Sequence, residues 1–484
     1  MKKILSLVIC GVLFLTLITG CGSSSEEDAA EPAPFVENSD YTDPDLIWHI
    51  SDGWTYSNNL IVDARSNFPM NFGGMEIEII DWWSDSNADD VPTSDYEDDV
   101  YEYHEWLKDT YNFKVKRGSD FTYENITQAY CDYVEFGQYK SNTIWVLHDD
   151  NYLSQAFSDG YMYDLATIDI LDFDSYKFYR NRSAENYSDN EHIYSMAAGI
   201  NQSPLCLVFN EDILRAYGIN PDSIYEMQAD GTWTWDEFEK ILENVQVDED
   251  GDGLPEYYGF AGSCESFCEA AVYSNGGGFV GIDEEGYTLL VNSDQTREAL
   301  EWSAYILDVF FHPSAVYDFD EMFLYDGAAF TIGYAEHFDP CMIDSDSDYG
   351  IVAFPKGPDN AEGKYTIPSK NYPVVIPACY DEDTAWKLAF VWSMWNTPPA
   401  GYEDYDPNMY TYYSVYSKPG VEALLEMNGT ASYIVSDKAQ MIPELDIYSQ
   451  LLAGFYMQQD ASMLVNQATE KWREYIAAEN EKNQ

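Results

Sequence analysis

Apolar and acidic side chains alternate along Gly73-Gly74-Met75-Glu76-Ile77-Glu78-Ile79-Ile80, the period-two pattern of a strand after a turn. The run leads into Asp81-Trp82-Trp83. From Asp99 to Tyr111 the period becomes helical, with Val100, Tyr103, Trp106 and Leu107 on one side. Thr143-Ile144-Trp145-Val146-Leu147 is nearly all apolar, as a buried strand should be, and stops at His148-Asp149-Asp150. Pro204 to Phe209 repeats that signature, and a helix from Glu211 to Tyr217 follows, closed by Gly218. Thr234-Trp235-Asp236-Glu237 is a capping-box pattern: Thr234 is placed to cap the Glu237 amide while Glu237 reaches back. The helix it opens runs to about Val245, with Trp235 packed between helix and sheet. Gly276-Gly277-Gly278 marks a turn, and Thr296 to Val309 an amphipathic helix. Strands are predicted at Ala328–Gly333, entering a turn at Tyr334, and at Ile351–Phe354. Helices return at Thr384–Trp395 and Met463–Ala478. Strand and helix alternate without internal repeat, which is the signature of an α/β protein.

The N-terminal region reads differently. Lys2-Lys3 precede an apolar run from Ile4 to Ile18 that exits through Thr19-Gly20-Cys21. A positive flank, a short apolar run and small residues before a Cys describe a lipoprotein signal over residues 1–20, with Cys21 taking the lipid. Residues 21–35 are Ser-, Glu-, Ala- and Pro-rich and behave as a flexible acidic tether, spanning roughly 20 Å. No other stretch holds ~18 consecutive apolar residues. The expected location is the outer face of the cytoplasmic membrane, held by the lipid anchor only. The remaining ~445 residues exceed one small core and call for two lobes.

A net charge of −64 excludes nucleic acid and anionic lipid as partners, because both demand surplus Lys and Arg. It also disfavours an anionic ligand, leaving a neutral or cationic one. A salt-in halophile would carry the same acid surplus. Cys131, Cys206, Cys264, Cys268, Cys341 and Cys379 remain beyond Cys21, without the CxxC spacing of a zinc or redox site. They read as buried thiols or as one or more disulfides.

Several of these segments, in order, resemble the family 1 extracellular solute-binding proteins, the maltose-binding-protein-like receptors of ABC sugar importers. The carriers are the strand ending at Asp81-Trp82-Trp83, and Val208-Phe209-Asn210-Glu211-Asp212-Ile213-Leu214 with Gly218-Ile219. Thr232-Trp233-Thr234-Trp235-Asp236-Glu237-Phe238 is the most specific, followed by Asp248-Glu249-Asp250-Gly251-Asp252-Gly253. Asn275-Gly276-Gly277, Asp326 to Ile332 and Pro355-Lys356-Gly357-Pro358-Asp359 complete the series. One motif departs: Tyr139-Lys140-Ser141-Asn142 stands where relatives carry Gly-x-Pro-Asp. The tyrosine-rich stretch from Pro398 to Tyr416 is also longer than the pattern requires.

The resemblance implies a two-lobed, periplasmic-binding-protein-like (type II) α/β fold with a hinge and an interlobe ligand cleft. The chain would cross between lobes near 200–204, near 372–374 and around 421–430. Lobe one would hold 36–200 plus 373–425, and lobe two 201–372 plus 426–484. The implied protein is a monomeric receptor that captures a carbohydrate, an oligosaccharide by expectation, and delivers it to ABC permease subunits. It needs no cofactor and catalyses nothing. A secreted carbohydrate-active hydrolase would need two carboxylates set across a cleft, and no nucleophile motif, triad or metal cluster anchors such a pair. A surface sensor or adhesin could share the fold.

Sugars offer apolar ring faces and paired hydroxyls, so their sites combine aromatic platforms with polar edges. Strand ends facing the cleft are the places to look. Trp82 and Trp83 end the first strand, and His148 and Asp149 end another, where the matching pair of maltose-binding relatives sits in the cleft. Tyr334 and His337 follow a third strand, where relatives place a stacking ring. Glu265 lies in the loop of the opposite wall, Asn201 and Tyr372 at expected hinges, and Tyr448 in the last cleft segment. Asp248, Asp250, Asp252, Leu254 (through its carbonyl) and Glu256 follow the first half of an EF-hand loop, with Gly253 at the turn. Position 12 is Gly259, so the bidentate Glu is missing. The expectations for this loop are a structural calcium ion, as in some sugar- and alginate-binding relatives, or an acidic surface turn.

Overall fold

The computed structural model describes residues 62–63, 68–84, 92, 94–118, 120–137, 142–148, 151–179, 181–189, 191–199, 204–313, 319–325, 327–335, 342, 347–368, 372–397, 409–428, 430, 435 and 437–482. Cys21, Asp149, Asn201 and His337 lie outside them, as does Cys341. Two four-stranded sheets organise the chain. The first has the order Val374–Val375, Asn142–Val146, Met75–Ile80, Phe113–Arg117. Met75–Ile80 runs parallel to both of its neighbours, and Val374–Val375 is antiparallel to the edge of Asn142–Val146. Parallel neighbours require crossovers, here the helices Asp95–Tyr111 and Ile126–Phe136.

The Asp95–Tyr111 helix starts at Ser94, whose hydroxyl accepts the Glu97 amide at 3.2 Å, and stops at Asn112 in the left-handed region, φ 54°. Three acids in its first turn and Lys108 in its last complement the helix dipole. It begins four residues before the position the apolar period indicated, because the start is set by the cap and not by the buried face.

Alternation sorts the first sheet's side chains onto two cores. Ile77, Ile79, Ile144, Val146 and Val374 pack with Tyr103, Leu107 and Phe390. Ile80, Trp145, Leu147 and Val375 point the other way, into an apolar cluster continuous with that of the second sheet. Each such buried aliphatic side chain contributes about 1.5–3 kcal/mol. The Glu382–Trp395 helix covers the first of these faces. Asp381 caps its start, accepting the Thr384 amide at 2.8 Å, and buried Lys177 donates to Ser393 and Thr397 at its end.

The second sheet has the order Tyr349–Val352, Leu205–Asn210, Ala328–Tyr334, Tyr258–Phe260. All six residues of Leu205–Asn210 are buried, as the unbroken apolar run demands. Asn210 ends the strand and caps the next helix, its carboxamide oxygen accepting the amides of Asp212 and Ile213 at 3.0 Å. Gly350 lies so close beneath Phe209 that a Cβ there would meet the ring at 2.2 Å. Trp235 stacks on Trp302 with ring centroids 4.1 Å apart and donates to Ser274 Oγ at 3.1 Å, the structural role expected of it.

Two expectations need correction. Thr234 is the N-cap of Trp235–Val245, but its hydroxyl caps nothing; the Glu237 amide bonds to the Thr234 carbonyl, and the Glu237 carboxylate pairs with Lys240. Thr234 instead bridges to Lys356, so tertiary pairing fixes the helix entry. Residues 409–425, placed in lobe one by the resemblance, pack on the second sheet. The helices Met409–Val415 and Lys418–Asn428 place Tyr412, Tyr416, Val421 and Leu424 against Cys206, Val208 and Ile351. The Ser417 amide donates to the Tyr349 carbonyl at 2.9 Å. The apolar face of the 418–428 helix has to find an apolar partner, and the outer face of the second sheet supplies it.

Among the described residues, Cys131, Cys206, Cys264, Cys268 and Cys379 form no disulfide with one another. Burial raises the pKa of Cys264 and Cys268 above the ordinary thiol range, keeping both protonated and inert. No helix of the described residues is long and apolar enough to cross a membrane.

One half-buried ring makes the first core sensitive to acid. His104 stacks on Trp395, ring centroids 3.6 Å apart, and its Nε2 lies 2.8 Å from the Trp395 carbonyl, which can only accept. Burial lowers its pKa from 6.5 to about 4. Between those values the unfolded chain binds a proton that the folded chain refuses, so this contribution is present above pH 6.5 and lost as pH falls toward 4. Its full extent is ~3 kcal/mol. Urea midpoints at pH 6.5 and 4.5 should therefore fall further for the wild type than for His104→Gln. Equal falls in the two proteins would refute the assignment.

Candidate functional site

Where the first strand ends, Asp81 is fully buried and turns the chain sharply. Its carboxylate accepts the amides of Trp83 and Ser84 at 3.1 and 2.7 Å and the Ser84 hydroxyl at 2.8 Å, with Arg117 Nε 3.6 Å away. This turn presents two indoles at the carboxyl edge of the parallel strands. Trp82 is the hub: its ring lies 4.6 Å from Trp83, 4.7 Å from Tyr372, 5.4 Å from Tyr123 and 6.3 Å from His148, each near-perpendicular. Trp83 leans over Tyr372 at 6.2 Å and is 53% exposed. Tyr123 and His148 lie 3.6 Å apart.

Each ring is positioned by its element. Tyr372 lies two residues ahead of the Val374–Val375 strand, and the intervening Pro373 carbonyl accepts the Leu147 amide at 2.9 Å. His148 is pinned by Thr127, whose hydroxyl donates to the His148 carbonyl at 2.8 Å and accepts its amide at 3.1 Å. The structure thus gathers Trp82, Trp83, His148 and Tyr372 from three chain segments. Tyr123, just ahead of the Ile126–Phe136 helix, was not foreseen. No local pattern marks it, and only the folding of that helix beside the strand end brings it in.

A second group sits on the Cys264–Ser274 helix and its neighbours. Glu269, Tyr273, Tyr334, Asp437 and Gln440 line a cavity of about 50 Å³ that Asn186 and Tyr187 complete from the first sheet's side. Tyr334 ends its strand there. Tyr448 donates to Glu269 Oε2 at 2.8 Å, so it buttresses the wall. Glu265, one turn earlier, accepts the Ser263 hydroxyl at 3.2 Å and lies outside the cavity lining. Its spacing of four from Glu269 is the one sequence signal that points to the buried acid.

Asp437 and Lys438 stitch the two sides of this cavity together. The Asp437 carboxylate accepts the amides of Phe279, Val280 and Ala439 at 2.8–3.3 Å, yet lost hydration still raises its pKa from 3.8 to about 6. Lys438 Nζ donates to the Glu185 and Ser188 carbonyls and to Ser188 Oγ, and desolvation lowers its pKa to about 8. Ser154 adds a further tie, donating to the Gln440 carbonyl at 2.8 Å.

In the acidic loop the carboxylates of Asp248, Asp250 and Glu256 come within 4.8 Å of one another, all exposed. The loop's own amides from Glu249 to Leu254 already donate to its carboxylates. Asp252 accepts the Leu254 amide and stands apart from the other three acids.

No protein-family description and no curated protein sequence matches this chain. Solved structures do. The cyclic α-maltosyl-1,6-maltose binding protein of Arthrobacter globiformis aligns over 85% of this chain and 100% of its own, with a TM-score of 0.59 at 13% identity. A sugar transporter protein from Rhizobium etli, in an open conformation, covers 82% and 98% at a TM-score of 0.57 and 13% identity. An ABC substrate-binding protein from Listeria monocytogenes, in complex with cycloalternan, covers 82% and 97% at 0.52 and 13%. The chain has the two-lobed periplasmic-binding-protein-like fold of these receptors.

The two indoles differ in what they support. Trp82→Ala removes a ring packed among four others and should lower unfolding free energy by about 3 kcal/mol. Trp83→Ala, at an exposed ring, should stay within ~0.5 kcal/mol. Urea denaturation of both variants checks this, and equal losses would contradict the assigned roles.

Proposed function

We propose that this chain, carrying the fold of sugar-binding ABC receptors, is itself a solute-binding protein that captures carbohydrate between its two sheets. The observation that carries the reading is the ring cluster at the strand ends, where Trp83 stays exposed although four rings crowd its neighbour. Exposing a tryptophan on a buttressed platform sacrifices burial, and stacking on a sugar's C–H face recovers it. The phenols of Tyr123 and Tyr372 and the imidazole of His148 around the platform suit hydroxyl groups. An oligosaccharide would engage both walls, and ligand binding would shift the population toward a more closed form that a permease could receive. The Thr19-Gly20-Cys21 exit supports a lipid anchor at Cys21 as the attachment to the membrane's outer face.

A melting-temperature screen against mono- and oligosaccharides at ~1 mM should find ligands, because binding only to the native state stabilises it. Trp83→Ala should weaken the best of them at least tenfold, about 1.4 kcal/mol. X-ray scattering with that sugar should give a smaller radius of gyration. A panel without any shift, and scattering unchanged, would reject the reading. Separately, Cys21→Ala should release the protein from cells into the medium; complete retention with membranes would remove the anchor.

A further inference from the structure

Lys438 is a buried cation with no part in the sugar platform, and its side chain crosses from one side of the molecule to the other. Its backbone is fastened to the second sheet's side. The Lys438 amide donates to the Val280 carbonyl at 2.9 Å, and the adjoining Asp437 carboxylate accepts the Phe279 and Val280 amides. Its Nζ ends on the Glu185 and Ser188 carbonyls and on Ser188 Oγ. That segment is tied to the first sheet. The Tyr194 amide donates to the Tyr187 carbonyl at 2.9 Å, and the Met196 amide to the carbonyl of Val374 in the edge strand at 3.1 Å. Two more polar contacts follow the same seam: Ser154 Oγ donates to the Gln440 carbonyl at 2.8 Å and Lys482 Nζ to Ser158 Oγ at 2.7 Å.

The seat offers an ammonium group only neutral oxygens. The carboxylates around it are engaged elsewhere: Glu185 with Arg182 Nε at 2.9 Å, Asp189 with the Glu191 and His192 amides, and Asp437 with three amides. The charges of Glu185, Asp437 and Asp189 favour the ammonium form and that of Arg182 opposes it. Lost hydration outweighs them and lowers the pKa from 10.5 to about 8. A neutral amine still has two N–H donors for the same oxygens and buries no charge.

We propose that closure of the two sides is coupled to loss of a proton from Lys438. Opening draws Nζ off the Glu185 and Ser188 oxygens into water, where it is an ammonium group. Closing returns it to the dry seat as an amine. This rests on the proposed solute-binding function, in which the two sides close on ligand. Between pH 8 and 10.5 the open form holds a proton that the closed form has shed, so raising the pH through that window favours closure. Below pH 8 both forms carry the proton, and closing has to bury a charge.

The mature wild-type chain without added solute is compared with Lys438→Arg, charged at every pH used, and Lys438→Met, charged at none. From pH 7 to 9.5 at fixed salt, the closed-to-open ratio of the wild type should rise roughly tenfold or more. X-ray scattering should therefore give a smaller radius of gyration at pH 9.5 for the wild type, and no such change for either variant. Carbon-13 spectra of the lysine-labelled wild type should show one Cε signal titrating well below the ordinary ~10.4 of the others, and Lys438→Arg should lack it. That measurement needs only the wild type to be folded. Equal scattering responses in the three chains, or every lysine titrating near ~10.4, would overturn the coupling and leave the carbohydrate reading to the sugar screen. A response confined to the wild type, with no sugar shifting the melting temperature, would uphold the coupling and overturn the carbohydrate reading.

Discussion

A parallel sheet has to bury both faces, and the strand Met75–Ile80 meets that demand by feeding two cores from successive residues. Ile79 enters the cluster beneath the 382–395 helix, while Ile80 enters the one shared with the second sheet. The neighbouring strand does the same with Ile144 and Trp145. Because both strands run in one direction, their carboxyl ends share an edge, and their connections leave the sheet there. The position of Trp82, Trp83 and His148 is a consequence of this pairing: a one-residue slip of the first strand would exchange its core faces and turn the indoles around.

Polar groups at the same edge make the arrangement rigid. Buried Asp81 satisfies the amides that the turn would otherwise orphan, and Thr127 does so for both backbone groups of His148. The Asp81 bonds are local and the Thr127 pair joins residues 21 apart, and together they decide where bulky rings stand. The opposite wall uses longer reach. Asp437 fastens its segment to Phe279 and Val280, and Lys438 carries that segment's charge to the turn after Ser183–Asn186. Carbonyls at the end of a short helix are a natural seat for an ammonium group.

The acid surplus leaves the core almost untouched. Most ion pairs among the described residues are exposed and local, such as Lys240 with Glu237 and Lys418 with Glu422, and contribute little to stability. The acids that matter are the few that are buried and bonded, Asp81, Glu211, Glu269 and Glu479, together with half-buried Asp437. Their neighbours set their roles, and total charge sets only the field around them.

Local chemistry written in the sequence decided much of this protein. Period-two alternation at 75–80, the apolar runs at 143–147 and 204–209, and the helical periods at 99–111 and 384–395 all became elements close to their expected bounds, since each signal is complete within a few residues. The pairing of Trp82 with Trp83 at a strand end was legible for the same reason. The apolar stripe of 418–428 was there to read, but its partner was not, and the helix went to the second sheet because that sheet offered apolar surface. Thr234 resembled a capping box until a bridge to Lys356 took over its job. Tyr123 and Tyr372, or Asn186, Glu269 and Asp437, carry no shared pattern along the chain. Their meeting depends on how strands register and helices pack over long separations, which burial of apolar area decides cooperatively and no short window of residues contains.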